Sequence, residues 1–282
     1  MTRALVLGGG GVAGVGWEIG VLAGLAEAGA DVLDADLVVG TSAGSTVAAQ
    51  ATSGVAVAEL LARQTDPALQ TRELTPTADV PALLVSLGEI GQSAQDAADL
   101  RRRFGELALN AQTVPEAARR EVIAGRLPVR EWPARSLKIT AVDAANGDLA
   151  VFDKDSGVAL VDAVCASCAV PGIWPTVTIG GRRYMDGGMW SVENADLAAG
   201  YDVVLVLQVL ELPGGSQWGM DLAHQVGTLR AGGSLVEVIT ADEASRTAFT
   251  DNPLDPSTRT PSALAGLAQG RAEAARIGAF WK

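Results

Sequence analysis

Short apolar runs rich in β-branched residues alternate along this chain with longer stretches that have helical spacing. The runs are Ala4–Leu7, Asp36–Val39, Leu137–Val142, Leu149–Phe152, Asp202–Val209 and Leu235–Thr240. Parallel strands need long crossovers, and helices supply them, so this alternation predicts an α/β fold. The expected architecture has three layers, a mostly parallel central sheet with helices on both faces. Between the first two runs, Ile19, Leu22, Leu25 and Ala26 mark a helix over Glu18–Ala28, with Gly29 as its stop. A second helix is expected over Ser262–Phe280, with Pro261 near its start.

The stretch from about residue 58 to residue 126 breaks the alternation. It is rich in Ala, Leu, Gln, Arg and Glu, carries Pro67, Pro76, Pro81 and Pro115, and has no strand pattern. We read residues 1–282 as one α/β domain with a helical insertion over about 58–126. Its position makes that insertion a candidate lid.

Hydrophobic residues make up 48% of the chain and charged residues 19%, enough for a full core and too few charges for disorder. No apolar run reaches 18 residues, so no spanning segment is expected. The N-terminus lacks a charged region followed by a cleavage site, and there are only two cysteines. Both features predict a reducing, cytoplasmic setting. The formal charge of −12 repels phosphate backbones, which argues against a nucleic-acid partner. Any transient contact with a membrane surface would have to rest on local apolar surface. A single histidine, His224, removes every mechanism or metal site that needs two.

Three motifs carry chemistry. Gly8-Gly9-Gly10-Gly11-Val12-Ala13-Gly14 joins the first strand to the first helix. Its glycines allow a sharp turn and leave backbone N–H groups bare at a helix N-terminus, where negative charge is stabilised. Residues 9–14 also fit GxGxxG, but a dinucleotide site expects an acid at the end of the second strand. That strand ends Val38-Val39-Gly40, with Asp34 and Asp36 before the apolar run, so no nucleotide cofactor is expected. The second motif, Gly40-Thr41-Ser42-Ala43-Gly44, follows the second strand and opens a helix running from Ser45 toward Gln50. A nucleophile elbow needs that context: Gly40 and Gly44 let strand and helix approach, and the Ala43 amide can help hold an oxyanion. The third, Tyr184-Met185-Asp186-Gly187-Gly188, follows the hairpin-like Val177–Arg183, and in isolation reads as an ordinary turn.

In this order, the three motifs resemble the patatin-like phospholipase family, as do Ala166–Gly172 and Asn194. The resemblance covers roughly residues 3–50 and 137–210. It implies a patatin-like fold and hydrolysis of lipid acyl esters, of phospholipase A type, without cofactor or metal. It also implies Ser42 as nucleophile, Asp186 as general base with Gly187 and Gly188 in the base loop, and the amides of Gly9, Gly10 and Gly11 as oxyanion donors. One position departs: the family usually has Arg or Lys where this chain has Ala13, which removes an electrostatic aid. The same serine chemistry also serves acyl transfer to an alcohol or attack on a thioester, and a decayed site would leave a binding protein.

A triad reading has Ser42, Asp186 and His224 in α/β-hydrolase order. Against it, the elbow follows only the second strand, and Asp221–Gln225 reads as an amphipathic helix that places His224 at a surface. Cys165 and Cys168 form a CxxC inside an apolar run, as buried core cysteines do. Asp143, Asp148, Asp153 and Asp155 suggest a hairpin turn, and Arg101-Arg102-Arg103 a solvated helix face. Trp132, Trp174, Trp190 and Trp218 are read as packing residues, with Trp174 and Trp190 also candidates for an acyl pocket.

Overall fold

A computed structural model describes residues 1–76, 78, 80–211 and 221–282; Trp218 lies outside the described residues. The strands are β1 (Arg3–Leu7), β2 (Leu37–Gly40), β3 (Ser136–Asp143), β4 (Leu149–Phe152), β5 (Val177–Ile179), β6 (Arg182–Asp186), β7 (Val203–Gln208) and β8 (Leu235–Thr240). They form one sheet in the hydrogen-bonded order β5-β6-β3-β2-β1-β7-β8, with β4 also paired to β3. Strands β3, β2, β1, β7 and β8 run parallel, and β4, β5 and β6 form antiparallel pairs. The hairpin suggested by Val177–Arg183 is β5–β6, and it continues to Asp186.

Among the described residues, ten α-helices flank the strands: α1 (Gly11–Glu27), α2 (Ala43–Ala51), α3 (Val57–Thr65), α4 (Val80–Ser93), α5 (Ala97–Asn110), α6 (Glu116–Arg126), α7 (Leu160–Ser167), α8 (Leu222–Ala231), α9 (Glu243–Phe249) and α10 (Arg259–Phe280). Successive strand side chains point to opposite faces, so each strand feeds two cores. Leu5, Leu7, Val38, Leu205 and Leu207 join a core with residues of α1, α2, α7 and α10. Ala4, Val6, Leu37, Val39, Val204 and Val206 join a second core, closed by Leu222, Val226 and Leu229 of α8. Burial on both faces is why these strands read as continuous apolar runs. On α1, Gly20 lies so close to α10 that an added Cβ would stand 2.2 Å from the Ala263 carbonyl oxygen.

The insertion forms α3 to α6. Leu87, Leu100, Phe104 and Ala108 of α4 and α5 bury themselves against Val142 of β3 and Met185 of β6. The helical stretch thereby rests on the strand that ends in Asp186.

One register explains how distant motifs meet. β4 pairs with Ile139–Val142 of β3, while β2 reaches Ile139 through Gly40 and β6 reaches Ala141 through Asp186. A strand residue has only two lateral neighbours, so β2 and β6 share the β3 edge opposite β4. They approach one another end to end, and the chain leaving Gly40 faces Asp186.

Candidate active site

Between β2 and α2, Thr41 and Ser42 make the turn. Ser42 adopts φ 52°, ψ −116°, a conformation that costs a residue with a side chain about 1–3 kcal/mol. Its surroundings fix it there. The Ser42 N–H donates to Ser167 Oγ (2.9 Å), and the Ser42 carbonyl accepts from Ser45 Oγ (2.6 Å) and Cys168 Sγ (3.2 Å). The flanking glycines are steric requirements. An added Cβ would lie 2.6 Å from the Gly44 carbonyl oxygen at Gly40, and 2.1 Å from the Leu7 carbonyl oxygen at Gly44.

Ser42 Oγ donates to Asp186 Oδ2 at 2.7 Å, and the other carboxylate oxygen accepts the Gly188 N–H at 2.8 Å. Asp186 is 2% exposed. Burial pushes its carboxyl up from 3.8 to about 7, against the opposing pull of the Ser42 and Gly188 hydrogen bonds. The backbone behind it is tied down. Asp186 N–H donates to the Ala169 carbonyl (2.9 Å), so the segment leaving α7 anchors Ser42 through Ser167 and Asp186 through Ala169. A buried network adds support: Asn194 Nδ2 donates to the Ser191 carbonyl (2.6 Å) and Thr41 Oγ1 (2.9 Å), and Thr41 Oγ1 lies 2.9 Å from Thr140 Oγ1. The close fit of Gly187 over Thr140, 2.3 Å from an added Cβ to Thr140 Oγ1, excludes any larger residue.

The glycine loop requires one correction. Gly9 cannot be an oxyanion donor in this arrangement, because its N–H is committed to the Val192 carbonyl at 2.9 Å. The loop has to close against the chain after Asp186, and Gly9 makes that contact. Among the described residues, the N–H groups of Gly10, Gly11, Val12 and Ala43 meet no acceptor. Gly11, Val12 and Ala43 line the same small cavity as Ser42. Ala13 is fully buried, with its N–H on the Pro253 carbonyl at 2.9 Å.

That cavity has about 20 Å³ of free space, room for a single water and far below the few hundred Å³ of a site holding a sizeable ligand. Its far wall is Glu73, Arg119, Arg126, Trp174 and Leu254. A neighbouring cavity of about 360 Å³ shares Glu73 and Leu254 with it.

Other residues singled out in the sequence fall elsewhere. His224 is exposed on the first turn of α8, its N–H capped by Asp221 Oδ1 at 2.7 Å. Trp190 packs partly buried in the α4–α5 cluster under Arg101, whose guanidinium carbon is 4.1 Å from the ring centroid. Arg101 is thus not part of a solvated face, whereas Arg102 and Arg103 pair with Asp99. Cys165 and Cys168 are buried, and burial pushes the Cys165 thiol up to about 12. Asp143 and Asp148 flank the β3–β4 turn, and Asp143 pairs with Arg182 at 2.5 Å. No group of acids, histidines or cysteines among the described residues is arranged to hold a metal. None of the described helices is long and apolar enough to cross a membrane.

A strained serine at a strand–helix turn, bonded to a buried carboxylate beside unfilled amide donors, has the parts that acyl transfer through a serine requires. The chain belongs to the patatin-like phospholipase family, a family of lipid acyl hydrolases, whose profile matches residues 5–199. No curated protein matches it by sequence. Among solved structures it is similar to VipD from Legionella pneumophila, at 12% identity and a TM-score of 0.49, over 99% of this chain and 67% of that one. It is similar also to ExoU, solved in complex with SpcU from the type III secretion system of Pseudomonas aeruginosa, at 17% identity and a TM-score of 0.39, over 94% of this chain and 52% of that one. The chain therefore spans about two thirds of the first protein and about half of the second.

Proposed function

We propose that this protein hydrolyses acyl esters of lipids through an acyl-Ser42 intermediate, with Asp186 as general base and no third member. The observation that carries the reading is the 2.7 Å hydrogen bond from Ser42 Oγ to Asp186 Oδ2 at a strained elbow. Ser42 Oγ attacks the ester carbonyl and passes its proton to Asp186 Oδ2. The tetrahedral oxyanion takes hydrogen bonds from the Gly10, Gly11 and Ala43 amides, which need no reorganisation to serve it. Collapse of the intermediate expels the alcohol, which takes the proton from Asp186. Water then repeats the sequence and releases the fatty acid. Aspartate is ordinarily a weak base at neutral pH. Here burial brings it to about 7, where it can accept and return a proton.

The insertion α3–α6 belongs, in this reading, to the same domain and covers the site. An acyl ester does not fit in about 20 Å³, so the wall of Arg119, Arg126 and Leu254 has to give before substrate reaches Ser42. Activity should rise when a lipid substrate passes from monomers to aggregates; a flat profile would remove the lid from the reading.

Labelling with a fluorescent fluorophosphonate, followed by mass mapping, tests the nucleophile. Labelling of the wild type at Ser42 and none in Ser42→Ala is the expected result. A folded wild-type protein that takes no label, or takes it elsewhere, overturns the assignment.

A further inference from the structure

Two carboxyl groups lie behind the glycine loop, unused by the chemistry proposed at Ser42. Glu18, on the second turn of α1, is fully buried, and Glu193, in the segment after Asp186, nearly so. Both oxygens of Glu18 and Oε1 of Glu193 are buried without a hydrogen-bond partner among the described residues. Burial pushes the Glu193 carboxyl up to about 7 and pushes Glu18 well above its ordinary value, with Glu193 raising Glu18 further. The Gly8 N–H and the Gln208 side chain pull the other way, and no cation among the described residues joins them. From α1, then, comes Glu18, from the segment after Asp186 comes Glu193, and from the end of β7 the uncharged Gln208. Two buried carboxylates within Coulombic reach do not both stay ionised. A carboxylate only accepts, so neither residue can fill the open oxygens of the other while both are charged. One proton changes that. On Glu193 Oε1 it becomes a donor to a Glu18 oxygen, and the pair holds one negative charge instead of two.

The place of the pair gives it a task. Glu193 packs against the start of the glycine loop: a Cβ added at Gly8 would lie 3.4 Å from Glu193 Cγ. Its own segment already holds the loop and the elbow. The Val192 carbonyl takes the Gly9 N–H at 2.9 Å, and the Glu193 carbonyl accepts from Thr41 Oγ1 at 3.4 Å. Asn194 Nδ2 donates to the same Thr41 Oγ1 at 2.9 Å. Those bonds join the segment to the loop and to the turn of Ser42. None of them reaches α1, whose N-terminus carries the open amides of Gly11 and Val12. A bond between Glu193 and Glu18 supplies that link.

We infer that Glu18 and Glu193 share one proton and position the oxyanion amides, by bonding α1 to the segment that follows Asp186. The oxyanion role rests on the reading of Ser42 as nucleophile; the shared proton does not. Both are positioning residues, since neither lines the cavity at Ser42. Without the shared proton the two carboxylates repel, and α1 with its amides is pushed off the line set by Ser42 and Asp186.

Two measurements on the full-length protein test this, one of them without turnover. In Asp186→Asn protein at pH 8, infrared difference spectra are taken against the same protein carrying Glu18→Gln and Glu193→Gln. The carbonyl band of one neutral carboxyl is the expected difference, and its absence overturns the shared proton. The second measurement is kcat and KM on a short p-nitrophenyl ester, per site titrated with fluorophosphonate. Glu193→Ala should lower kcat about tenfold or more and leave KM within about twofold, as displaced oxyanion donors do. Glu193→Gln should recover most of that loss, because its amide can donate to Glu18 where the shared proton did. With Asp186 ionised, wild-type kcat should fall at alkaline pH as the last proton of the pair leaves. That fall should be absent in Glu193→Gln, since an amide does not titrate. A merely structural pair predicts lower stability with kcat per site and its pH profile unchanged. That result, or equal losses in the Ala and Gln variants, overturns the inference. Near-ultraviolet circular dichroism checks folding, and if Glu193→Ala fails it, the alkaline limb of Glu193→Gln decides. Labelling of Ser42 in the wild type tests the nucleophile by itself, so its failure is told apart from failure of the pair.

Discussion

The two walls of the cavity at Ser42 were built by different means. On one side stand the ends of β1, β2 and β6, where the position of each group follows from backbone geometry: a positive φ at Ser42, an approach closed to any Cβ at Gly44, an end-to-end meeting of β2 and β6 on the edge of β3. On the other side stand Glu73, Arg119 and Arg126, brought in by helices and loops, with positions set by side-chain packing and charge. In the proposed reading, chemistry sits on the rigid wall and the adaptable one covers it. Rigid strand ends hold reacting atoms to fractions of an ångström, while a helical wall can change residues without disturbing the sheet.

The sharpest way to break this comparison is to remove the reacting pair. Ser42→Ala should lower ester turnover by about 10³-fold or more. Asp186→Asn should fall nearly as far, because Asn cannot take the proton. Initial rates on a short p-nitrophenyl ester check both, and near-normal activity in Asp186→Asn would move the base to another residue. The two variants should differ in stability. In the unfolded chain Asp186 ionises near 3.8, and in the folded protein near 7. Between those values the folded state holds more protons, so its stability falls as pH rises through that window and levels off above it. Asp186→Asn removes this loss, on the order of a few kcal/mol at about 1.4 kcal/mol per pKa unit. Its melting temperature should therefore change less between pH 5 and pH 8 than that of the wild type. Glu193, which burial also lifts to about 7, keeps the slope from vanishing.

Next in size is a test of the rigid wall as steric design. Gly44→Ala puts a methyl 2.1 Å from a backbone carbonyl oxygen, where neither α2 nor β1 can yield alone. A loss of about 3 kcal/mol or more is expected, at the upper end for an overpacked core, measured by urea unfolding. Gly88 of α4 has nothing within 4 Å of an added Cβ. Gly88→Ala should be neutral or stabilising by up to about 1 kcal/mol, as for a helix-interior glycine. Equal effects at the two positions would erase the contrast between the closed strand ends and the looser helical insertion.

The pH dependence of turnover is a smaller effect. With Asp186 ionising at about 7, kcat/KM should rise about tenfold from pH 6 to pH 8 and then flatten, as the ionised fraction does. A profile that levels off below pH 5 would show that burial does not lift this carboxyl in solution, and would leave Asp186 a much weaker base.

The contrast between the walls also decides what could be read from the sequence. Strand–turn–helix geometry constrains residue type at fixed spacing, so Gly40, Ser42 and Gly44 stood out with the sheet that carries them, whereas Asp186, in isolation an ordinary turn residue, was assigned through the family resemblance. Gly9 misled because four consecutive glycines do not reveal which amide closes the loop onto Val192. Ser167, which anchors Ser42 by a side-chain hydrogen bond 125 positions away, was visible only as part of a family-like segment. Glu73, Arg119 and Arg126 gave no signal, since a salt-bridged cluster assembled across a helical stretch has no spacing rule. Arg101 likewise looked like a solvated neighbour of Arg102 until the fold put Trp190 beneath it.

The smallest expected effect tests where the rigid wall ends. His224 is the only histidine of the chain, and its place after Ser42 and Asp186 in sequence invites a triad. In the fold it rides on α8, which closes the core on the sheet face away from α1 and α2, with its side chain exposed and its N–H held by Asp221. None of its contacts among the described residues reaches Ser42 or Asp186. Ser42 Oγ already donates directly to the carboxylate, which leaves no gap for an imidazole between them. His224→Ala should therefore leave ester turnover within about twofold and stability within about 0.5 kcal/mol, as at an exposed site without special contacts. A hundredfold loss of turnover with unchanged stability would mean that α8 reaches the reacting pair during catalysis. Chemistry would then draw on a movable helix, and the division between a rigid reacting wall and an adaptable covering one would fail.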